Sequence, residues 1–224
     1  MSAASRPAGV VLDLDGTLVD TVGTRIEAWM RTFAEEGIDA ARQLVTELIG
    51  SDGRYLARTV GEAAGEGVDD ARAERIDARS GAIYSSLNTD PRPLPGAAEL
   101  LAALDERSIP WAIGTSSRRE QVGRSVASLQ LSREPTIVDG SAVDRAKPHP
   151  DLLLAAAKAL EVDPTQCWCI GDSTWDMRAA GAAGMVGIGI LAGSAIGRET
   201  LRQAGARDVF DTLTDLIPLL DGDG

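Results

Sequence analysis

Aromatic side chains are scarce in this chain: Phe, Trp and Tyr together make up 4% of its 224 residues. The core must therefore be aliphatic, built on Ala, Val, Leu and Ile, within a hydrophobic content of 44%. Positive charge is also short. Lys and Arg number 22 against 34 Asp and Glu, a net charge of −12, which argues against nucleic acid or an anionic membrane as a partner. An anionic substrate would need a local positive pocket or a metal ion. No stretch approaches the ~18 consecutive apolar residues of a membrane span. Residues 1–8 lead straight into a predicted strand without the apolar run of a signal peptide. We expect a soluble, cytoplasmic protein. Histidine occurs once, as His149, and cysteine twice, as Cys167 and Cys169 either side of Trp168. Those donors are too few for a Cys/His metal site. On a strand both thiols would point to one face, as small buried side chains that suit a reducing compartment.

What is present begins with Gly9-Val10-Val11-Leu12-Asp13-Leu14-Asp15-Gly16-Thr17. The apolar, β-branched run reads as a strand buried on both faces. It ends in two carboxylates at i and i+2, followed by a glycine that permits a sharp turn. Open α/β sheets bind ligands at the carboxyl edge of their strands. Two carboxylates so close repel each other unless a cation or a shared proton compensates. Asp and Gly are also ordinary turn residues, so this stretch alone does not decide its role.

After Thr17 the periodicity becomes helical. Ile26, Trp29, Met30 and Phe33 recur at i, i+3, i+4, i+7 within 20–36, and further helices are expected over 40–49, 54–64 and 69–87. Pro91, Pro93 and Pro95 then break the pattern as a linker would. From Gly96 strands and helices alternate. Helices are expected over 97–107, 119–129, 150–160, 175–183 and 198–204, and strands over 110–114, 135–138, 167–171, 185–190 and 209–210. That alternation implies a doubly wound, parallel, Rossmann-like sheet. The expected organisation is an α/β core of residues 1–17 and 94–224 with an all-α cap, 18–93, inserted after the first strand. The tail from Asp221 is expected to fray.

Three later stretches bear on the first. One strand ends in Gly114-Thr115-Ser116-Ser117 just before a helix, where hydroxyls and free N–H groups can bind an anion or simply cap the helix. Lys147 lies in Ala146-Lys147-Pro148-His149-Pro150, where two prolines exclude a helix. Another buried strand ends in Gly171-Asp172, with Asp176 in the following helical turn. Strand ends carrying Asp13/Asp15, Thr115 and Asp172 would all share one sheet edge.

Asp13-Leu14-Asp15-Gly16-Thr17, Thr115, Lys147 before Pro148, and Gly171-Asp172 with Asp176 resemble, in order and spacing, the four motifs of the haloacid dehalogenase-like superfamily. The helical insert resembles the cap of the branch containing phosphoglycolate phosphatases and β-phosphoglucomutases. Dehalogenases of this superfamily lack the second aspartate, present here as Asp15, so the resemblance implies phosphoryl transfer. It implies that Asp13 attacks phosphorus and that Asp15 serves as general acid and base. Mg²⁺ would be held by the Asp13 and Asp172 carboxylates and the Asp15 backbone carbonyl. Thr115, with Ser116, would hold phosphoryl oxygens, and Lys147 would offset negative charge and orient the nucleophile. Asp176 would order Lys147 or a metal-bound water, and Thr17 would brace the turn after Asp15.

Arg118 and Arg54 are further candidates for bidentate contact with a substrate anion, with a solvated arginine as the alternative for each; Arg25 is less suited. Gly187-Ile188-Gly189 and Gly193 suggest a dinucleotide fingerprint, but the spacing is wrong and too little chain follows. His149 between prolines reads as a turn residue. The expected activity is Mg²⁺-dependent hydrolysis of a small phosphorylated metabolite by a monomer or homodimer. Two alternatives stand beside it. A sugar-phosphate mutase of the β-phosphoglucomutase type tends to carry Glu-Asp where this chain has Gly171-Asp172. A non-catalytic phosphate-binding protein would have no need of Asp15.

Overall fold

The structure, a computed structural model, describes residues 6–143 and 145–222. The start of the leader stretch and the last two residues of the expected tail lie outside them. Six strands form one sheet: β1 (Gly9–Leu12), β2 (Trp111–Gly114), β3 (Thr136–Val138), β4 (Cys167–Gly171), β5 (Val186–Ile190) and β6 (Asp208–Phe210). Their order is β3-β2-β1-β4-β5-β6, with every pairing parallel. The chain winds outward from β1 through β2 to β3, then returns to the other side of β1 at β4. The switch point, where such sheets bind ligands, therefore lies between β1 and β4.

Strand alternation sorts the core into two layers. Val10, Leu12, Trp111, Ile113, Trp168 and Ile170 face one apolar cluster, covered by α5 (Ala97–Glu106), α6 (Arg119–Ser128) and the C-terminal segment. Val11, Ala112, Cys167 and Cys169 face the other, beneath the alanine-rich α7 (Asp151–Ala159) and α8 (Thr174–Ala183). Both thiols are buried and free, as their shared face predicts. The glycines of the supposed dinucleotide fingerprint serve packing. A Cβ on Gly187 would sit 3.1 Å from Met177 Sδ, and one on Gly189 3.0 Å from Leu201, a residue of α9 (Arg198–Gln203).

The four expected helices between β1 and α5 are α1 (Val22–Glu35), α2 (Arg42–Leu48), α3 (Gly53–Ala63) and α4 (Asp70–Leu87). They enclose their own apolar cluster, which includes Ile26, Trp29, Phe33, Leu56, Val60 and Ile76. Trp175, from the first turn of α8, joins that cluster and donates its indole N–H to Glu47 O at 3.0 Å. The two chain crossings into and out of the insert run side by side. Asp20 N donates to Arg92 O and Leu94 N to Leu18 O, each at 2.9 Å.

The tail expectation is corrected within the described residues. A 3-10 helix, Leu213–Asp221, buries Leu213, Leu216 and Leu220 completely against the sheet. Asp221 accepts two bonds from the Arg107 guanidinium, at 2.6 and 2.8 Å. Pro218 inside the segment hides its helical character from a reading based on periodicity. Leu216→Ala should cost about 2–5 kcal/mol, the range for truncating a buried leucine. Chemical denaturation checks this, and a midpoint within error of the parent would mean that the segment adds nothing to the core.

Candidate active site

The carboxyl ends of β1, β2 and β4 deliver Asp13, Thr115 and Asp172 to one edge, and the loop before α7 adds Lys147. Lys147 is 1% exposed. Its Nζ lies 2.5 Å from Asp13 Oδ1, donates to Gly114 O at 2.9 Å, and stands 2.6 Å from Asp176 Oδ1. The last approach is an ion pair by distance, yet Asp176 Oδ1 has no partner in hydrogen-bond geometry among the described residues. The other Asp176 oxygen accepts from Ser173 N at 3.1 Å and Ser173 Oγ at 2.6 Å, within a capping box that starts α8. Asp176 thus serves both the helix end and the lysine. Thr17 differs from its expected role. Its buried hydroxyl crosses to Asp172 Oδ1, 3.1 Å away, instead of bracing its own turn, because Gly16 at φ 89° already folds the chain toward Asp172. A Cβ at Gly16 would meet Asp172 Oδ2 at 2.4 Å, and one at Gly171 would meet Asp176 Cγ at 2.3 Å. These glycines let the three aspartates converge.

One oxygen from each of Asp13, Asp172 and Asp176 lies within 4.8 Å of the others, all three residues buried. Burial pushes Asp13 up to about 7 despite the Lys147 charge, with Asp176 and Asp15 adding to the rise. Burial likewise raises Asp172 well above the carboxylate range, reinforced by Asp13 and Asp176. For Lys147, burial opposes the charge, but Asp13 and Asp176 outweigh it and hold the ammonium protonated. One buried ammonium cannot balance three ionised carboxylates, so in this oxygen-lined pocket Asp13 and Asp172 are pushed toward protonation until a cation compensates. That donor set suits a hard divalent cation.

Asp15 faces a different set of partners. Arg25 donates to it at 2.9 Å, Thr21 at 2.6 Å, Ser117 at 2.8 Å and the Tyr84 hydroxyl at 3.2 Å. Burial would raise its pKa, yet Arg25, Thr21 and Ser117 prevail and lower it. Arg25 also donates to Gln121 at 2.9 Å, and its guanidinium carbon sits 3.4 Å from the Tyr84 ring centroid. Sequence reasoning set Arg25 aside, missed Thr21, Tyr84 and Gln121, and named Ser117 only within the hydroxyl stretch before α6. A signal for Arg25 was there: it falls on the buried side of α1, next to Ile26 and one turn before Trp29. A charge in that stripe needs a buried partner.

A cavity of about 60 Å³ adjoins these groups, lined by Asp13, Asp15, Arg25, Thr115, Ser116 and Arg118 among others. At ~10–15 Å³ per water-sized group, it has room for roughly four to six such groups. Thr115 Oγ1 accepts from Ser117 N at 3.1 Å, and Ser116 Oγ donates to Gly50 O at 3.0 Å. Arg118 lines the cavity but is engaged by Glu74 at 2.6 Å and Asp77 at 2.8 Å, clamping α4 to the start of α6. Arg54 is placed elsewhere. It donates to Asp52 at 3.2 Å and lines a second, wider cavity. His149 is an exposed loop residue whose N–H closes a turn on Ala146 O.

The comparisons with known proteins agree with this geometry. The family profile described as haloacid dehalogenase-like hydrolase matches residues 10–190. The chain is 31% identical to the fructose-1-phosphate phosphatase YqaB of Escherichia coli, over 80% of this chain and 94% of that protein. It is 29% identical to phosphoglycolate phosphatase 1 of Pseudomonas aeruginosa, over 98% and 82% of the two chains. A crystal structure of a hydrolase from Pseudomonas syringae superposes with a TM-score of 0.90 at 34% identity, covering 95% and 97%. On the motifs, the fold and these relatives, the chain belongs to the haloacid dehalogenase-like hydrolases and is an enzyme of their phosphatase branch.

Proposed function

We propose that the protein hydrolyses a small phosphate monoester in two steps through an aspartyl phosphate on Asp13, and that it depends on Mg²⁺. The observation that carries this reading is the buried Asp13–Lys147–Asp176 chain beside Asp172, opening on a small cavity that also holds Asp15 and Thr115. The Asp13 and Asp172 carboxylates and the Asp15 backbone carbonyl would hold the ion. When bound, Mg²⁺ supplies the positive charge that lets a phosphate approach three aspartates.

The protein's own groups account for the rest. Lys147 fixes one Asp13 oxygen, leaving the other to attack phosphorus in line with the departing alcohol. The Thr115 hydroxyl and the start of α6 receive the phosphoryl oxygens, and the Ser116 hydroxyl can join them once it releases Gly50 O. Asp15 gives a proton to the leaving oxygen and later takes one from water. To be a proton donor its carboxyl must leave the Arg25, Thr21 and Ser117 contacts, which favour its charged form. The helical insert closes the cavity, and its opening would admit substrate, as lids do.

The size of the cavity favours a compact leaving group, while the phosphatase relatives act on substrates of different size. The identity of the alcohol therefore stays with the experiment. Phosphorylated metabolites should be screened for release of inorganic phosphate with Mg²⁺ present and again after chelation. Free phosphate should accumulate without a bisphosphate activator, and chelation should abolish it reversibly. Isomerised sugar phosphate forming faster than free phosphate would establish the mutase instead.

A further inference from the structure

A second cavity, about 550 Å³, opens between the helical insert and the sheet layer and shares no lining residue with the catalytic one. Its volume falls in the ~300–1,000 Å³ range of small-molecule sites. Tyr55 and Arg58 of α3 form one wall; Arg145, His149, Trp175 and Arg178 form the other.

These residues supply two kinds of contact. The Tyr55 and Trp175 rings meet edge to face, centroids 5.6 Å apart at 66°, making an aromatic corner. Tyr55 is 41% exposed, so the corner is left uncovered on that side. Trp175 is only 5% exposed and its N–H is taken by Glu47 O, so it backs the corner and Tyr55 supplies the open ring face. Four guanidinium groups line the cavity, those of Arg54, Arg58, Arg145 and Arg178, against the three carboxylates of Asp52, Asp70 and Glu74. Arg178 lies 5.0 Å over the Trp175 ring, with no carboxylate partner among the described residues. Arg58 pairs with Asp70, a side chain 97% exposed, and Arg145 with Asp151, a pair whose side chains are 59% and 27% exposed. Such exposed pairs are worth at most about 1 kcal/mol each, so a ligand anion can displace their carboxylates. An aromatic corner ringed by guanidinium groups fits a ligand with a flat ring and a polyanionic tail.

We propose that this cavity binds a nucleotide, its base in the Tyr55–Trp175 corner and its phosphates on Arg58, Arg145 and Arg178. The walls come from α3 on one side and from α8 and the Lys147 loop on the other. Asp52 N already donates to Lys147 O across this seam at 3.0 Å. A bound nucleotide ties the insert to the sheet layer and slows turnover without occupying the catalytic cavity.

Calorimetry with the non-hydrolysable α,β-methylene ADP tests binding. The full chain should take up one equivalent, and Arg178→Gln and Tyr55→Ala should each weaken it at least tenfold. Both side chains are exposed, so these variants should keep the fold. Adenosine alone and pyrophosphate alone should each bind at least tenfold more weakly than the whole nucleotide. No heat at millimolar ligand, unchanged affinity in both variants, or equal binding of either fragment would overturn the site. A second arm rests on the hydrolysis proposed above: the analogue should lower kcat for a small monoester several-fold while leaving KM nearly unchanged. A purely competitive pattern would place the nucleotide in the catalytic cavity and overturn the proposal. Absence of any hydrolysis before the analogue is added would instead count against the catalytic reading and leave the calorimetric result standing.

Discussion

Asp13→Asn is expected to abolish turnover, by on the order of 10⁵-fold or more, while the protein stays folded. The amide occupies the same volume but cannot form the acyl phosphate, and removing the covalent nucleophile takes away the route itself. The fold should survive because Lys147 keeps two other partners, Asp176 Oδ1 at 2.6 Å and Gly114 O at 2.9 Å. A buried ammonium stripped of every partner would cost several kcal/mol, but here one carboxylate and one carbonyl remain. The measurement is phosphate release from the best substrate of the screen, beside the denaturation midpoint. Persisting hydrolysis in a pure preparation, at even a hundredth of the parent rate, would give the nucleophile's role to another group.

How far the site could be read beforehand depends on the range of the contacts involved. β1, β2 and β4 are short apolar runs ended by polar residues, so their sheet edge follows from the chain alone. The buried stripe of α1 and the shared face of Cys167 and Cys169 were equally local. Harder to read was what the carboxylates meet. Thr17 to Asp172 spans 155 positions and Lys147 to Asp13 spans 134, and no periodicity encodes such pairings. Motif resemblance supplied the second of these and missed the first.

Arg118 and Arg54 show the limit differently. Both are arginines in the right neighbourhood, and a count of charges makes either a fair anion ligand. The partners decide. Glu74 and Asp77 arrive on α4, one turn apart on a face the sequence leaves undetermined, and they claim Arg118 for the contact between insert and core. Asp52, the N-cap of α3, takes a bond from Arg54. Arg25 has the opposite history: unpromising on an apolar stripe, it ends beside Asp15 because that stripe faces the catalytic edge.

Asp15→Asn should then separate the two half-reactions. The asparagine oxygen can still accept from Thr21, and its NH2 in the place of Oδ2 can donate to the Ser117 hydroxyl, while Arg25 loses its carboxylate and stays bonded to Gln121. It removes the proton exchange, one charge and the ion pair with Arg25. Expulsion of an alkoxide needs a proton, so an alkyl phosphate should lose roughly the 10²–10⁴-fold that general acid catalysis supplies. A nitrophenolate leaves without protonation, and its first step should be far less affected. Hydrolysis of the aspartyl phosphate still needs a base to activate water, whichever group has left. The variant should therefore release nitrophenol in a burst near one equivalent of enzyme and then stall, as a covalent intermediate accumulates. The Asp15 backbone carbonyl is unchanged, so the proposed metal site keeps its donors. Equal slowing of both substrates with no burst would show that Asp15 anchors Arg25 and the insert, and that the proton is moved by another group.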